Sequence, residues 1–109
     1  MAVYAIGDVQ GCYQALIALL DKINFSAQTD QLWFTGDLIS RGPQSLESLA
    51  FIKSLGQAAV TVLGNHDLYA LAGFFFFFCI PIEPTLKPLF NAPNAAELIH
   101  WLRQQPLIY

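Results

Sequence analysis

The alternation of apolar and polar positions divides the first two thirds of the chain into three similar units, each an apolar run followed by apolar residues at helical spacing. The predicted strands are Ala2–Ile6, Gln31–Thr35 and Ala59–Leu63. The predicted helices carry Tyr13, Leu16, Ile17, Leu20 and Ile23, then Leu46, Leu49 and Ile52 after Gly42-Pro43 and before Gly56, and a third begins near Asp67. Short apolar strands joined by helices predict an α/β fold with a mainly parallel sheet covered on both faces.

The pattern loosens after Phe78 into the proline-containing segment CIPIEPTLKPLFNAPN. Asn94 and Glu97 stand three residues apart, as in a capping box, and they precede a predicted last helix that ends before Pro106. The apolar face of this helix comprises Leu98, Trp101 and Leu102. The closing residues PLIY resemble the first residues of another strand.

The apolar stretch Leu68–Ile82 contains five consecutive phenylalanines, Phe74–Phe78. It has 15 residues and is interrupted by Pro81, so it is shorter than the roughly 20 residues of a spanning helix. We therefore predict no membrane span, and the sequence offers no reason for the phenylalanine run.

Composition narrows the function classes. The 109 residues predict one domain, 1–109, and a net charge of −3 without a basic cluster argues against nucleic-acid binding. Cys12 and Cys79 are isolated, and the N-terminus lacks the features of a secretory signal, so a cytoplasmic location is expected. The hydrophobic content of 55% is high for a domain of this size and predicts self-association through exposed apolar surface.

Polar residues recur where the predicted strands end. Asp8 and Asp37 are 29 residues apart, and Asp37 and Asn65 are 28 apart, close to the length of one strand-and-crossover unit. The three side chains are therefore expected together at the carboxyl edge of the sheet, where ligands of α/β folds bind.

Carboxylate, amide and imidazole groups are suited to hard and borderline divalent metal ions. Two carboxylates at one edge repel each other unless cations lie between them, and a pair of ions supports in-line displacement at phosphorus. Arg41 would bind the transferring phosphoryl group, and His66 would protonate the leaving oxygen. This set of groups predicts hydrolysis of a phosphoester or phosphoanhydride.

Each residue also has a purely structural interpretation. Asp8, Asp37 and Asp67 could be helix caps, and Asn65 could be a left-handed turn residue. His66 could cap a helix, and Arg41 could pair with a carboxylate. These interpretations do not explain why the polar groups occupy equivalent positions of consecutive units.

The segments GDVQG, GDLISRG and GNHD, in this order, resemble the signature blocks of the calcineurin-like metallophosphoesterases of the phosphoprotein-phosphatase branch. Within that branch, the chain most closely resembles the bacterial symmetrical diadenosine tetraphosphatases, including the segment APNAAELIHWLRQQPL. The resemblance implies the N-terminal part of a metallophosphoesterase β-sandwich with flanking helices. It also implies a dinucleoside polyphosphate substrate, diadenosine tetraphosphate, hydrolysed to two ADP with two divalent ions, Mn²⁺ or Co²⁺.

By position in these motifs, the resemblance implies that Asp8 binds the first metal and Asp37 bridges both. Asn65 would bind the second metal and the substrate phosphate. Arg41 occupies the phosphate-binding position, and His66 occupies that of the proton donor.

Two positions depart from the general pattern. Gln10 stands where that pattern has a ligand histidine, and Ser40 stands where protein phosphatases have an aspartate. Family members are more than twice as long and take two further histidine ligands from later segments, and His100 matches neither. The expectation is thus a truncated, weakly active or inactive tetraphosphatase. The alternatives are a non-catalytic metal-binding or nucleotide-binding remnant and a phosphoesterase resembling serine/threonine protein phosphatases.

Overall fold

A computed structural model of the chain describes residues 2–75 and 84–107, with the side chain of Phe75 left out. The strands are β1 (Val3–Ile6), β2 (Gln31–Phe34) and β3 (Ala59–Thr61). The helices are α1 (Tyr13–Lys22), α2 (Ser45–Ser54), α3 (Asn65–Phe75), α4 (Lys87–Phe90) and α5 (Ala95–Arg103), with short 3-10 helices at Gly56–Ala58 and Pro84–Leu86.

The three strands form a parallel sheet in the order β1-β2-β3. Ile6 is paired with Phe34, and Phe34 is paired with Thr61, so the strands end at nearly the same level. The predicted α/β fold with parallel strands is confirmed, and the loops that leave the three strands begin side by side.

The core lies between one face of the sheet and the helices. Ile6, Leu32 and Phe34 of the sheet are buried against apolar side chains of the helices. The buried helical residues of this cluster are Leu16, Leu20, Leu49, Ile52, Ala70, Leu71, Leu89, Leu98, Ile99 and Leu102. The burial of Leu98 and Leu102 agrees with the predicted apolar face of α5.

The opposite face of the sheet is open at several positions. Val3 and Trp33 are exposed by 49% and 42%, and Ala5, which is paired with Trp33, is also exposed. The prediction that both faces are covered is therefore wrong for this face, because the helices of the described residues pack against the other one.

Some predicted helix ends shift. α3 begins at Asn65, two residues before the predicted start, and Pro43 precedes α2 instead of lying within its first turn. The capping box is not formed, since Asn94 makes no side-chain capping hydrogen bond. The Glu97 carboxylate instead forms an ion pair of 3.0 Å with Lys53 of α2.

None of the helices within the described residues is long and apolar enough to cross a membrane. Phe76–Phe78, Cys79 and the last two residues of the chain lie outside the described residues. The predictions made for those positions therefore stay predictions.

Candidate active site

Asp37 links the loops that follow the three strands. Its backbone carbonyl accepts a hydrogen bond of 2.9 Å from the N–H of Gln10, in the loop after β1. Its carboxylate oxygen Oδ1 accepts one of 2.8 Å from the N–H of His66, in the first turn of α3. The structure thus brings the polar segments that follow β1, β2 and β3 together at the carboxyl edge of the sheet.

Left-handed backbone conformations are concentrated in two of these loops. Gln10, Asp37, Ser40 and Arg41 have φ values of +49°, +51°, +82° and +70°. Residues with a Cβ atom rarely adopt such values, and strained backbone of this kind clusters at functional sites. Asn65 is not among the left-handed residues of the described chain, so the turn interpretation of Asn65 is wrong.

Two glycines of the motifs are sterically required. A Cβ atom at Gly64 would overlap Oδ1 and the backbone nitrogen of Asp37. A Cβ atom at Gly42 would overlap the carbonyl oxygen of Gln10, which accepts a 2.7 Å hydrogen bond from the Gly42 N–H. The loops therefore pack at distances that only glycine permits.

His66 lies between Arg41 and Asp37. The Arg41 Nε–H donates a hydrogen bond of 3.0 Å to His66 Nε2. His66 Nδ1 lies 3.5 Å from Asp37 Oδ1, and this buried nitrogen makes no hydrogen bond within the described part of the chain. Because Nε2 accepts, the neutral ring carries its proton on Nδ1, the nitrogen that faces the Asp37 carboxylate.

Asp67, for which the sequence indicated only a helix cap, does cap α3 by accepting the Gly64 N–H, and it also contacts the loop after β2. It is fully buried, and its two carboxylate oxygens accept hydrogen bonds of 2.9 Å from the Leu38 N–H and 3.0 Å from the Gly64 N–H. Burial raises the pKa of the Asp67 carboxyl, although these N–H donors oppose the shift. A signal was present in the sequence, because Asp67 shares a helical face with Ala70 and Leu71, which are also buried.

The helix-cap interpretation of the other two carboxylates is not supported. Cys12 is the N-cap residue of α1 and Gln44 that of α2, and neither makes a side-chain capping bond. Asp8 is instead exposed and lines a cavity of about 260 Å³, together with Ile6, Gly7, Val9, Cys12, Ala15, Leu16 and Leu19.

The oxygen donors at this edge fit a divalent cation by their chemistry. Asp8 and Asp37 supply carboxylates, and Asn65, which is exposed, supplies an amide. In residues 2–75 and 84–107, no three His, Cys, Asp or Glu side chains are grouped closely enough to hold a metal ion. A cation held by this chain would therefore depend on amide oxygens in addition to the two carboxylates.

Comparison with known proteins agrees with this fold. The sequence model of the family described as calcineurin-like phosphoesterase matches residues 1–106, and the chain belongs to this family. The family implies divalent metal ions.

Curated relatives of the chain have names that specify a narrower group within this family. The chain is 56% identical over 108 residues to a protein of Proteus mirabilis strain HI4320 named "Bis(5'-nucleosyl)-tetraphosphatase, symmetrical". It is 52% identical over 108 residues to a protein of the same name from Aliivibrio fischeri strain ES114. Each match covers 99% of this chain and 40% of the relative, so the chain spans less than half the length of these relatives.

Two solved structures share the fold. A protein proposed to be a diadenosine tetraphosphatase superimposes with a TM-score of 0.75 and 30% identity, over 96% of this chain and 47% of that one. A metallophosphoesterase from Sphaerobacter thermophilus superimposes with a TM-score of 0.67 and 22% identity, over 95% of this chain and 41% of that one. The second match shows the fold alone.

Proposed function

We propose that the chain supplies the N-terminal part of the active site of a symmetrical diadenosine tetraphosphatase, which hydrolyses diadenosine 5',5'''-tetraphosphate to two ADP. The curated relatives, about half of whose residues are identical, support the choice of substrate. The observation that carries the proposal is the double link made by Asp37, which hydrogen-bonds both neighbouring strand-end loops.

In this proposal, two divalent ions, Mn²⁺ or Co²⁺, are held by Asp8, Asp37 and Asn65. The side-chain amide of Gln10 is a further, uncharged ligand. Bound divalent ions would stabilise the negative charge that develops on the phosphoryl oxygens during in-line displacement. The hydrogen bond from the His66 N–H directs one Asp37 oxygen, which keeps the carboxylate oriented before a cation binds.

Arg41 and His66 act on the substrate itself. The Arg41 guanidinium would leave His66 Nε2 and bind phosphate oxygens, because its planar set of N–H donors matches two such oxygens at once. His66 Nε2 is then free to carry a proton. Water adds to one of the two central phosphorus atoms and releases a proton to solvent, and the bond from that phosphorus to the central bridging oxygen breaks. His66, protonated on both ring nitrogens, delivers its Nε2 proton to the departing ADP oxygen.

The curated relatives extend well beyond the matched segment. We therefore propose that residues 1–109 alone bind metal weakly and have little or no turnover. A chimera tests the function: residues 1–106 replace the matching segment of the Proteus mirabilis relative, and ADP release from diadenosine tetraphosphate is measured with Mn²⁺. The same chimera with Asp37→Ala is the matched control.

Release of two ADP per substrate, abolished by Asp37→Ala, supports the proposal. A folded chimera that releases no ADP, while the Proteus protein does, contradicts it. Mn²⁺ or nucleotide binding without turnover would indicate a non-catalytic remnant. Preferential hydrolysis of a phosphoserine peptide would indicate a protein phosphatase.

A further inference from the structure

The carboxylate of Asp67 is buried, and a buried carboxylate is unfavourable unless a cation or hydrogen bonds compensate. It is 0% exposed, and no ion pair to it exists among the described residues. Both of its oxygens instead accept backbone N–H groups, from Leu38 at 2.9 Å and from Gly64 at 3.0 Å. The carboxylate therefore joins the loop after β2 to the loop after β3.

The first of these hydrogen bonds holds one end of the peptide group between Asp37 and Leu38. The other end of the same group, the Asp37 carbonyl, accepts the Gln10 N–H at 2.9 Å. Because the peptide group is planar, fixing its N–H and its carbonyl fixes its orientation. Asp37 has a φ of +51°, a conformation that needs such support.

The second hydrogen bond holds Gly64, which packs against the Asp37 carboxylate so closely that a Cβ atom would overlap it. The Asp37 carboxylate also accepts a hydrogen bond from the N–H of His66, the residue just before Asp67. Asp67 therefore fixes the backbone of Asp37 through the 37–38 peptide group. It also fixes Gly64, against which the Asp37 side chain packs.

We propose that Asp67 is a positioning residue, which orients the Asp37 carboxylate for metal binding by fixing the 37–38 peptide group between the loops after β1 and β3. The role in metal binding rests on the proposed function. The fixed peptide group is a separate claim about this chain, and it can be measured without any metal.

The first test is amide hydrogen exchange, measured by NMR on residues 1–109. Asp67→Asn keeps the side-chain shape and removes one acceptor, so the Leu38 or Gly64 amide should exchange about five to ten times faster, as expected for a lost hydrogen bond. The decisive amide is that of Gln10, whose N–H bonds the Asp37 carbonyl and not Asp67. Its exchange should also accelerate severalfold.

Asp30→Asn is the matched control. Asp30 also accepts two backbone N–H groups, from Ser26 at 3.0 Å and Ala2 at 3.1 Å, but it lies before β2, at the opposite edge of the sheet. This variant should accelerate Ser26 and leave Gln10 unchanged. Unchanged Gln10 exchange in folded Asp67→Asn, or equal acceleration in both variants, would overturn the proposal.

The second test is Mn²⁺ binding by the same chain, measured by calorimetry. Asp67→Asn should weaken binding by about 10-fold to 100-fold, the usual effect of losing a group that orients a metal ligand, and Asp30→Asn should not weaken it. Equal affinity in wild type and Asp67→Asn would refute the metal role. If the wild-type chain binds no Mn²⁺, the proposed function fails on this point, and Gln10 exchange still decides whether the peptide group is fixed.

If Asp67→Asn does not fold, the wild-type chain still provides a direct measurement. Scalar coupling across hydrogen bonds should connect the Asp67 carboxyl carbon to the amide nitrogens of Leu38 and Gly64. Absence of both couplings, with the other backbone hydrogen bonds of the sheet detected, would overturn the proposal.

Discussion

The Nε of Arg41 lies 3.0 Å from Nε2 of His66 and donates a hydrogen bond to it. In the proposed reaction these two side chains must separate, since Arg41 binds phosphate and His66 delivers a proton from the nitrogen that Arg41 occupies here. The contact therefore joins the two proposed catalytic groups before substrate binds, and it determines which ring nitrogen is protonated.

The neutral His66 ring should carry its proton on Nδ1. Long-range ¹H–¹⁵N NMR at alkaline pH, where histidine side chains are neutral, measures this directly. Arg41→Met should move the population toward the Nε2–H form. His100 is the internal control, because the Arg103 guanidinium lies 3.2 Å from its Nδ1 and should favour the Nε2–H form there. An Nε2–H ring at His66 in the wild type would contradict this contact.

Asp37→Ala should be the most damaging single substitution in the chimera, because it removes the residue proposed to bind both ions. His66→Ala should reduce the rate of ADP release by about 10²-fold to 10⁴-fold, the usual scale for a general acid, while leaving metal content unchanged. Steady-state kinetics and elemental analysis of the two variants separate these roles. Loss of metal in His66→Ala would show that its assigned role is wrong.

Gly64→Ala should destabilise the chain by about 1–3 kcal/mol, because the new Cβ would force the Asp37 backbone and carboxylate to move. Gly73→Ala is the matched control within α3, since its Cβ would lie 3.9 Å from the Phe90 ring, an ordinary contact. That substitution should stabilise the helix by about 0.5–1 kcal/mol. Urea unfolding of both variants measures the difference, and similar effects of the two would exclude the predicted overlap.

Asp30→Asn should reveal a pH-dependent contribution to stability. The N–H of Ser26, above all, holds the pKa of Asp30 below its usual value of 3.8, and the Ala2 N–H acts in the same direction. A lowered pKa stabilises the folded state above pH 3.8, and this contribution is lost as pH falls through the folded-state pKa. The wild type should therefore be more stable than Asp30→Asn at pH 7, and the difference should shrink as pH falls through the lowered pKa and the carboxyl protonates. A difference that does not change with pH would argue against the carboxylate as the cause.

Residues 1–109 should self-associate through the open face of the sheet, where Val3 and Trp33 are 49% and 42% exposed. Trp33→Thr should raise the dissociation constant at least about tenfold, measured by sedimentation, because it removes a large apolar contact. Leu19 of α1 is equally exposed, at 42%, and Leu19→Gln is the matched control. A monodisperse monomer at high concentration would contradict the prediction.

Features encoded by neighbouring residues could be predicted from the sequence. Helical and strand periodicity predicted the three strands, their parallel arrangement and helices α1, α2, α3 and α5, within a few residues at each end. It did not predict α4, which lies in the proline-containing segment after Phe78. The regular spacing of Asp8, Asp37 and Asn65 placed them at one edge, because each follows its own strand in a repeating unit. Three short motifs were enough to indicate the family, which the match over residues 1–106 confirmed.

Contacts between residues distant in sequence depended on the order and register of the strands. Asp67 accepts the Leu38 N–H across 29 positions, and its spacing from Ala70 and Leu71 indicates a buried face but not which loop it contacts. Glu97 pairs with Lys53, 44 positions away, instead of completing a capping box, because the packing of α2 against α5 brings the two charges together. The exposure of the Trp33 side chain likewise depends on tertiary structure, because the helices cover the other face of the sheet. Sequence therefore determined which groups reach the carboxyl edge, and tertiary packing determined how Asp67, Asp37, His66 and Arg41 are oriented there.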